Sequence, residues 1–339
     1  MRLQFFLPGL LWPGLQTQAP CEGLAVPALE RLLGLASPAL TAGGNAEAAL
    51  TRLFGLEPDT SPATLRSLGQ GVAPAAASRL CADPVGLRFT RDHLLLVDGE
   101  SLEITDDEAG QLIAGLNDTF PDIGRFTAGD ACRWYLDLPA EPNARFTALA
   151  DVIGRPVAMY MPEGEDARHW HRLINETQVW LHAHPVNQAR EAAGRQTINS
   201  LWPWGHGAPL AEATPPASRI IGDAPLLDGL LAAAGRERAP ADAAEALAAG
   251  HDLLVCDDRA GRATRQLDLP GWQQALADLD TTWFAPALAA LRTGRLASIE
   301  LLAPGDRATL ALRLARPRLW PFWKRPRPLI DLIQQQDRR

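Results

Sequence analysis

At 339 residues, 47% of them hydrophobic and 21% charged, the chain can bury a large core and is too apolar to be disordered. A formal net charge of −8 excludes a protein that grips nucleic acid through a generally basic surface. The four cysteines, Cys21, Cys81, Cys132 and Cys256, form no CxxC pair, which excludes a disulfide framework or structural zinc site and fits a reducing cytoplasm.

In chain order, Leu3–Leu7 reads as a first buried strand, because Pro-Gly pairs interrupt the apolar run that a leader would need. Helices are expected around Val26–Leu35 and Ala46–Phe54. Strand-like runs follow at Leu94–Val97, Leu102–Ile104 and Cys132–Leu138, with a helix over Asp106–Leu116 capped by Thr105 or Asp106. A short apolar run at Val157–Met161 precedes a helix from Asp166 to about His182. Further helices are expected over Leu226–Ala233, Ala241–Ala249 and Gly271–Leu291, and strands over Asp252–Val255, Ser298–Leu302 and Ala308–Leu314. Strands alternating with helices predict a mainly parallel sheet with helices on both faces, and no run approaches transmembrane length.

The stretch from His184 to Gly207 is the densest in orientable polar groups. Pro185 can open a short helix, Asn187 is a good N-cap and Gly194 a C-terminal stop, which together would make an anion cradle beside His184 and Arg190. Asn199 and Ser200 lead into a Leu-Trp-Pro-Trp-Gly-His-Gly loop. Arg88, Arg133 and Arg190 could converge on a phosphate or carboxylate, or each could serve a separate salt bridge. His169/His171 and His182/His184 would bind metal only on a strand, where such a pair shares one face. Asp257 and Asp258 follow an apolar strand, where open sheets place chemistry and where helix caps are equally common. From Arg313 to Arg327, arginines and Lys324 (the sole lysine) are interleaved with Trp320, Phe322 and Trp323. That segment either packs its aromatics on the domain or recruits a partner.

His184-Pro-Val-Asn187, Arg190, Gly194 and Ile198-Asn199 resemble the HPxN…R…G…AN segment of archaeal-type cofactor-independent phosphoglycerate mutases, members of the alkaline phosphatase superfamily. Asn45-Ala-Glu-Ala-Ala-Leu through Pro58 is similar to the stretch that bears their nucleophile, Ala82 to Phe89 to their GDVAFR stretch, and Asp130-Ala-Cys-Arg133 to their HR-plus-strand segment. His251-Asp-Leu-Leu-Val resembles a strand of their metal-binding half. More narrowly, the whole chain resembles a bacterial family labelled regulatory protein RpfE.

The departures concern chemistry. The mutases use two divalent metals, held by aspartates and histidines, and a serine nucleophile. Here the first-strand metal motif is replaced by Leu7-Pro-Gly-Leu-Leu-Trp-Pro13, and Asn45, Ala46 and Glu47 stand around the nucleophile position. Arg307 follows Asp306 where a histidine ligand belongs. The resemblance therefore implies an alkaline phosphatase-like α/β core over 1–84 and 166–312, an α+β cap over 85–165 and a basic tail over 313–339. It implies a cytoplasmic, regulatory pseudoenzyme without cofactor or metal, Asp257 and Asp258 being the carboxylates left for one. Arg88, Arg133, His184, Asn187, Arg190 and Asn199 would hold a phosphorylated or carboxylated metabolite. The alternatives are an active mutase or phosphatase with relocated ligands, and an interaction module whose tail binds a protein. No nucleic-acid partner is expected.

Overall fold

The structure, a computed structural model, describes residues 1–14, 19–76, 78–91, 93–240, 242–316 and 324–338. The chain divides into two compact units, Met1–Pro58 with Glu212–Arg339, and Asp59–Ala211. The insertion is thus wider than the 85–165 read from the sequence, because the segments on either side of that range pair with it. Strand β3 (Ser78–Phe89) carries register partners from residues 94–97, 134–138 and 200–204 along its length.

The first unit opens with β1 (Arg2–Phe6), α1 (Pro27–Leu35), β2 (Ala39–Ala42) and α2 (Ala46–Leu53). The second contributes α3 (Pro62–Gly69), β3, β4 (Leu94–Val97), α4 (Asp106–Thr119), β5 (Arg125–Ala128) and β6 (Trp134–Leu138). It continues with the short β7 (Ala144–Arg145) and β8 (Glu163–Gly164), then α5 (Ala167–Ala183), α6 (Pro185–Ala192) and β9 (Ser200–Trp204). The chain returns to the first unit with β10 (Arg219–Gly222), α7 (Leu227–Ala233), α8 (Ala243–Ala248), β11 (Leu253–Cys256), α9 (Arg259–Gln266) and α10 (Leu269–Leu279). The last elements are α11 (Ala285–Thr293), β12 (Ser298–Ala303), β13 (Ala308–Ala315) and α12 (Leu329–Asp337).

Among the described residues the first unit forms a six-stranded sheet in the order β10-β11-β1-β12-β13-β2. The four strands from β10 to β12 run parallel, and β13 and β2 are antiparallel to their neighbours. Leu3 lies opposite both Leu253 and Ile299 and Phe5 opposite Val255 and Leu301, all of them buried, while Gln4 donates to Glu300 on the neighbouring strand at 3.1 Å. Flanking helices complete the core with Leu29, Leu32, Trp272, Leu276 and Phe284. The long helix expected over 271–291 is broken by one π turn, Asp280–Phe284. That turn aims the buried Asp280 carboxylate at α1, where it accepts from Leu29 N at 2.7 Å and Ala28 N at 3.2 Å. Val26 supplies no side-chain cap to α1, and Asp280 takes that role.

The second unit is an antiparallel sheet, β4-β3-β6-β5 with β9 also on β3, covered by α4 and α5. Leu102–Ile104 forms a turn, not the strand expected, with Glu103 at φ 51°. The Leu102 carbonyl there accepts a side-chain hydrogen bond from Arg190, so it has no ladder to join. The aromatic stretch after Ser200 is β9 rather than a loop.

The described parts of the expected tail are elements of the first unit. Arg313 lies in β13, and α12 buries Leu329, Leu332 and Ile333 in the first unit's core. Trp320, Phe322 and Trp323 lie outside the described residues, as does Arg318. Among the described residues no helix is long and apolar enough to cross a membrane.

Candidate functional site

In an open α/β sheet the carboxyl ends of the parallel strands are the place for chemistry. Here that edge is built from Asp223 after β10, Asp257 and Asp258 after β11, and the apolar turn from Leu7 to Trp12 after β1. Helix α9 starts directly at these carboxylates and carries arginines at 259, 262 and 265. Arg259 holds Asp257 from Nε at 3.0 Å and from Nη2 at 2.7 Å, and reaches Asp278 at 3.0 Å. Arg262 pairs with Asp223 at 2.9 Å. Arg265 donates to Asp258 at 2.6 Å, and the Asp258 side chain is only 3% exposed. Burial raises the Asp258 pKa, with the Arg265 charge opposing it.

Two glycines let α9 sit this close. Gly9 has φ 69°, and a Cβ on it would lie 2.7 Å from Gly261 Cα and 2.6 Å from Thr264 Oγ1. A Cβ on Gly261 would meet Asp258 Oδ1 at 2.3 Å. The turn that would carry a first-strand metal motif is instead packed under a helix, with Trp272 Nε1 donating to Gly9 O at 3.0 Å.

The fit of this edge to a two-metal centre can be judged from its donors. Each of the three carboxylates is bonded to a guanidinium, and the edge carries no histidine. Arg307, which the resemblance sets where a histidine is expected, pairs with Asp337 at 2.6 Å. Among the described residues no group of three His, Cys, Asp or Glu side chains is placed to hold a metal. The donor set does not fit one. His169, His171 and His182 lie within the helix α5 and His184 at its C-terminal end, so neither pair has the strand geometry a metal pair needs.

The residues read as an anion cradle have structural duties in the second unit. His184, not Asn187, is the N-cap of α6: its Nδ1 accepts from Val186 N at 3.3 Å, and burial lowers its pKa. Asn187 is buried, donating to Leu181 O at 2.8 Å and Ile198 O at 2.7 Å and accepting from Ile198 N at 2.9 Å. Arg190 is 1% exposed and bonds Glu108 at 2.8 Å, Gln196 O at 2.6 Å and the Leu102 carbonyl, which seals it from any ligand. Asn199 extends the sheet by bonding both the N–H and the carbonyl of Leu87. Arg133 pairs with Asp130 and Glu100, and Arg88 is exposed near the end of β3. Asn187, Arg190 and Asn199 are thus spent on bonds within the second unit, His184 caps α6, Arg133 pairs at the surface and Arg88 is exposed.

Little in the sequence signals another buried ion pair in the second unit. Arg66 of α3 meets Asp83 of β3 bidentately at 2.7 and 2.8 Å. Trp204 Nε1 donates to the same carboxylate at 2.7 Å, and Tyr135 and Trp204 place their rings 4.9 and 5.3 Å from the Arg66 guanidinium carbon. The only signal was an aspartate in an apolar run before Pro84.

No protein-family model matches the chain. It is 32% identical over 166 residues to the 2,3-bisphosphoglycerate-independent phosphoglycerate mutase of Methanosarcina mazei, a stretch covering 46% of this chain and 40% of that protein. The mutase of the same description from Methanosarcina barkeri is 29% identical over 191 residues, 52% of this chain and 45% of that protein. The similarity is to phosphoglycerate mutases. It is distant, and the chain spans less than half the length of the curated relatives it matches. The solved structure of the PH0037 protein from Pyrococcus horikoshii superposes with a TM-score of 0.52 at 14% identity, covering 93% of this chain and 87% of that one. That likeness extends over both units and concerns the fold: a mostly parallel central sheet flanked by helices, with a second α+β unit inserted.

Proposed function

We propose that this protein descends from a phosphoglycerate mutase, has lost phosphoryl transfer, and acts in a regulatory role by binding rather than by turnover. The observation that carries this reading is the set of ion pairs that α9 makes with Asp223, Asp257 and Asp258. A guanidinium neutralises a carboxylate as a divalent ion would, but it offers no open coordination position to activate a nucleophile or steady a phosphoryl group. The nucleophile position supports the same reading. Asn45 cannot form a phosphoester, and its Oδ1 accepts from Ala48 N at 2.9 Å to cap α2.

The test is an assay with 3-phosphoglycerate and with a generic phosphomonoester, each with and without manganese. The expected result is neither 2-phosphoglycerate nor free phosphate above the uncatalysed background. Manganese-dependent turnover that disappears in Asp258→Asn would overturn the proposal.

A further inference from the structure

The amino edge of the first unit's sheet, opposite to the one that ends at Asp257 and Asp258, carries positive charge that none of the duties above uses. Helix α11 ends there at Gly294, and β13 ends beside it, with Ala315 opposite Ser298 and Arg316 N donating to Ala297 O at 3.1 Å. Helix α1 returns the chain to the start of β2, which runs in the same direction as β1, so Leu35 lies towards the same edge. Lys324 and Arg325 lie against that helix end. The Lys324 ammonium donates to Leu35 O at 3.3 Å, and a Cβ on Gly34 would collide with Arg325 O.

Three stretches without an acid meet at this edge. No Asp or Glu stands between Glu30 and Glu47, between Asp280 and Glu300, or between Asp306 and Asp331, although acids outnumber Lys and Arg by 40 to 32 in the whole chain. Some of the bases there have structural duties. Lys324 neutralises the carbonyl end of α1, Arg31 bonds Lys324 O, Arg327 bonds Gln335 and Arg313 pairs with Glu300 at 3.3 Å. Arg292, Arg295, Arg316 and Arg325 are different: they are exposed, and among the described residues no carboxylate pairs with them. The Arg316 guanidinium lies over Gly294, its carbon 2.9 Å from the place of a Cβ, and so joins Arg292 and Arg295 at the end of α11. One cation suffices for the carbonyl end of a helix, and the others repel one another until an anion approaches.

The sequence that joins Arg316 to Lys324, Pro-Arg-Leu-Trp-Pro-Phe-Trp, is apolar and aromatic with one further arginine. Arginine and lysine flanking tryptophan and phenylalanine suit the boundary between lipid headgroups and acyl chains. Cations spread over the end of α11, the end of β13 and the approach to α12 suit a broad anionic plane better than a single acidic side chain. We propose that this edge docks the first unit on an anionic phospholipid surface. The contact is peripheral and does not rest on the loss of phosphoryl transfer at the opposite edge.

The test mixes the full chain with vesicles of phosphatidylcholine, alone or with about 30 mol% phosphatidylserine, and reads the bound fraction by flotation. Binding is expected with phosphatidylserine only, and its partition coefficient should fall at least about tenfold as salt rises from about 0.1 M to about 0.5 M. Arg295→Glu combined with Arg325→Glu should weaken it at least about tenfold; Arg292→Gln combined with Arg316→Gln should do the same and serves if the first variant does not fold. Arg145→Glu combined with Arg172→Glu, both exposed in the second unit, should leave binding unchanged. Absence of binding to the phosphatidylserine vesicles, equal binding to neutral ones, or binding untouched by both edge variants would overturn the proposal. Retention on immobilised polyglutamate without vesicle binding would assign the edge to an acidic protein and overturn it equally.

Discussion

Arg265 and Asp258 meet at 2.6 Å at the carboxyl edge of the parallel sheet, and the aspartate is almost wholly buried there. Two turns of one short helix thus place a fixed positive charge on a carboxylate that has nowhere else to send its own. With the more exposed pairs that Arg259 and Arg262 make, the Arg265 pair leaves each of Asp223, Asp257 and Asp258 bonded to a guanidinium.

Removing one partner leaves a buried charge uncompensated. Arg265→Ala should lower stability by roughly 3 kcal/mol, and Arg265→Ala with Asp258→Leu should recover part of that loss. Urea unfolding of the two variants against the native protein measures both. A single variant as stable as the native protein would show the pair to be dispensable.

Close approach of α9 depends on glycine. Gly9→Ala forces a side chain into the left-handed region and against Gly261 Cα, and should cost roughly 2 kcal/mol or more. Thermal unfolding reads the effect. An unchanged melting temperature would mean that the turn and the helix separate without penalty.

Arg190 is predicted to act on the fold. Its bonds join α6 to Glu108, to the 102–103 turn and to the chain after α6, so Arg190→Ala should destabilise by roughly 2–4 kcal/mol. Arg190→Lys should not restore the loss, because an ammonium cannot reach three divergent acceptors. Denaturant midpoints for both variants check this.

Glu108 gives a pH dependence of known sign. Burial alone would raise its pKa, but bonds from Thr105 N and Arg190, with the Arg190 and Arg195 charges, hold it below the usual value. A depressed folded pKa means the unfolded state binds the proton more readily. The contribution is complete above the unfolded value of about 4.3 and is lost as the pH falls through the folded one. Stability measured from pH 6 to pH 3 should fall less steeply in Glu108→Gln than in the native protein.

The sequence signals that proved legible were local. Thr105 and Glu108 form both bonds of a capping box, and the apolar runs at 3–7, 252–255, 298–302 and 308–314 became β1, β11, β12 and β13 with small shifts at their ends. What stayed hidden had a physical reason. β3 contains Pro84 and β9 contains Pro203, residues that argue against interior strands, and the two prolines lie on strands paired with each other. Helix α9, Arg-Ala-Gly-Arg-Ala-Thr-Arg-Gln, shows no apolar stripe, because the face it packs is made of Ala260, Gly261 and Ala263. Arg190 and Asn187 stand in the right order for a ligand cradle, yet order along the chain cannot distinguish a polar group aimed at a ligand from one bonded to a neighbouring turn. Asp257 and Asp258 were visible as strand-end carboxylates; their arginine partners, two to seven residues onward, required the helix to be seen.

Calorimetric titration of the purified, chelator-treated protein with manganese asks whether guanidinium groups have displaced metal chemistry from the sheet edge. No saturable heat is expected at micromolar to low millimolar metal, and the same result is expected for Asp258→Asn. Stoichiometric micromolar binding that Asp258→Asn abolishes would contradict it, since it would mean that the arginines yield these carboxylates to a cation.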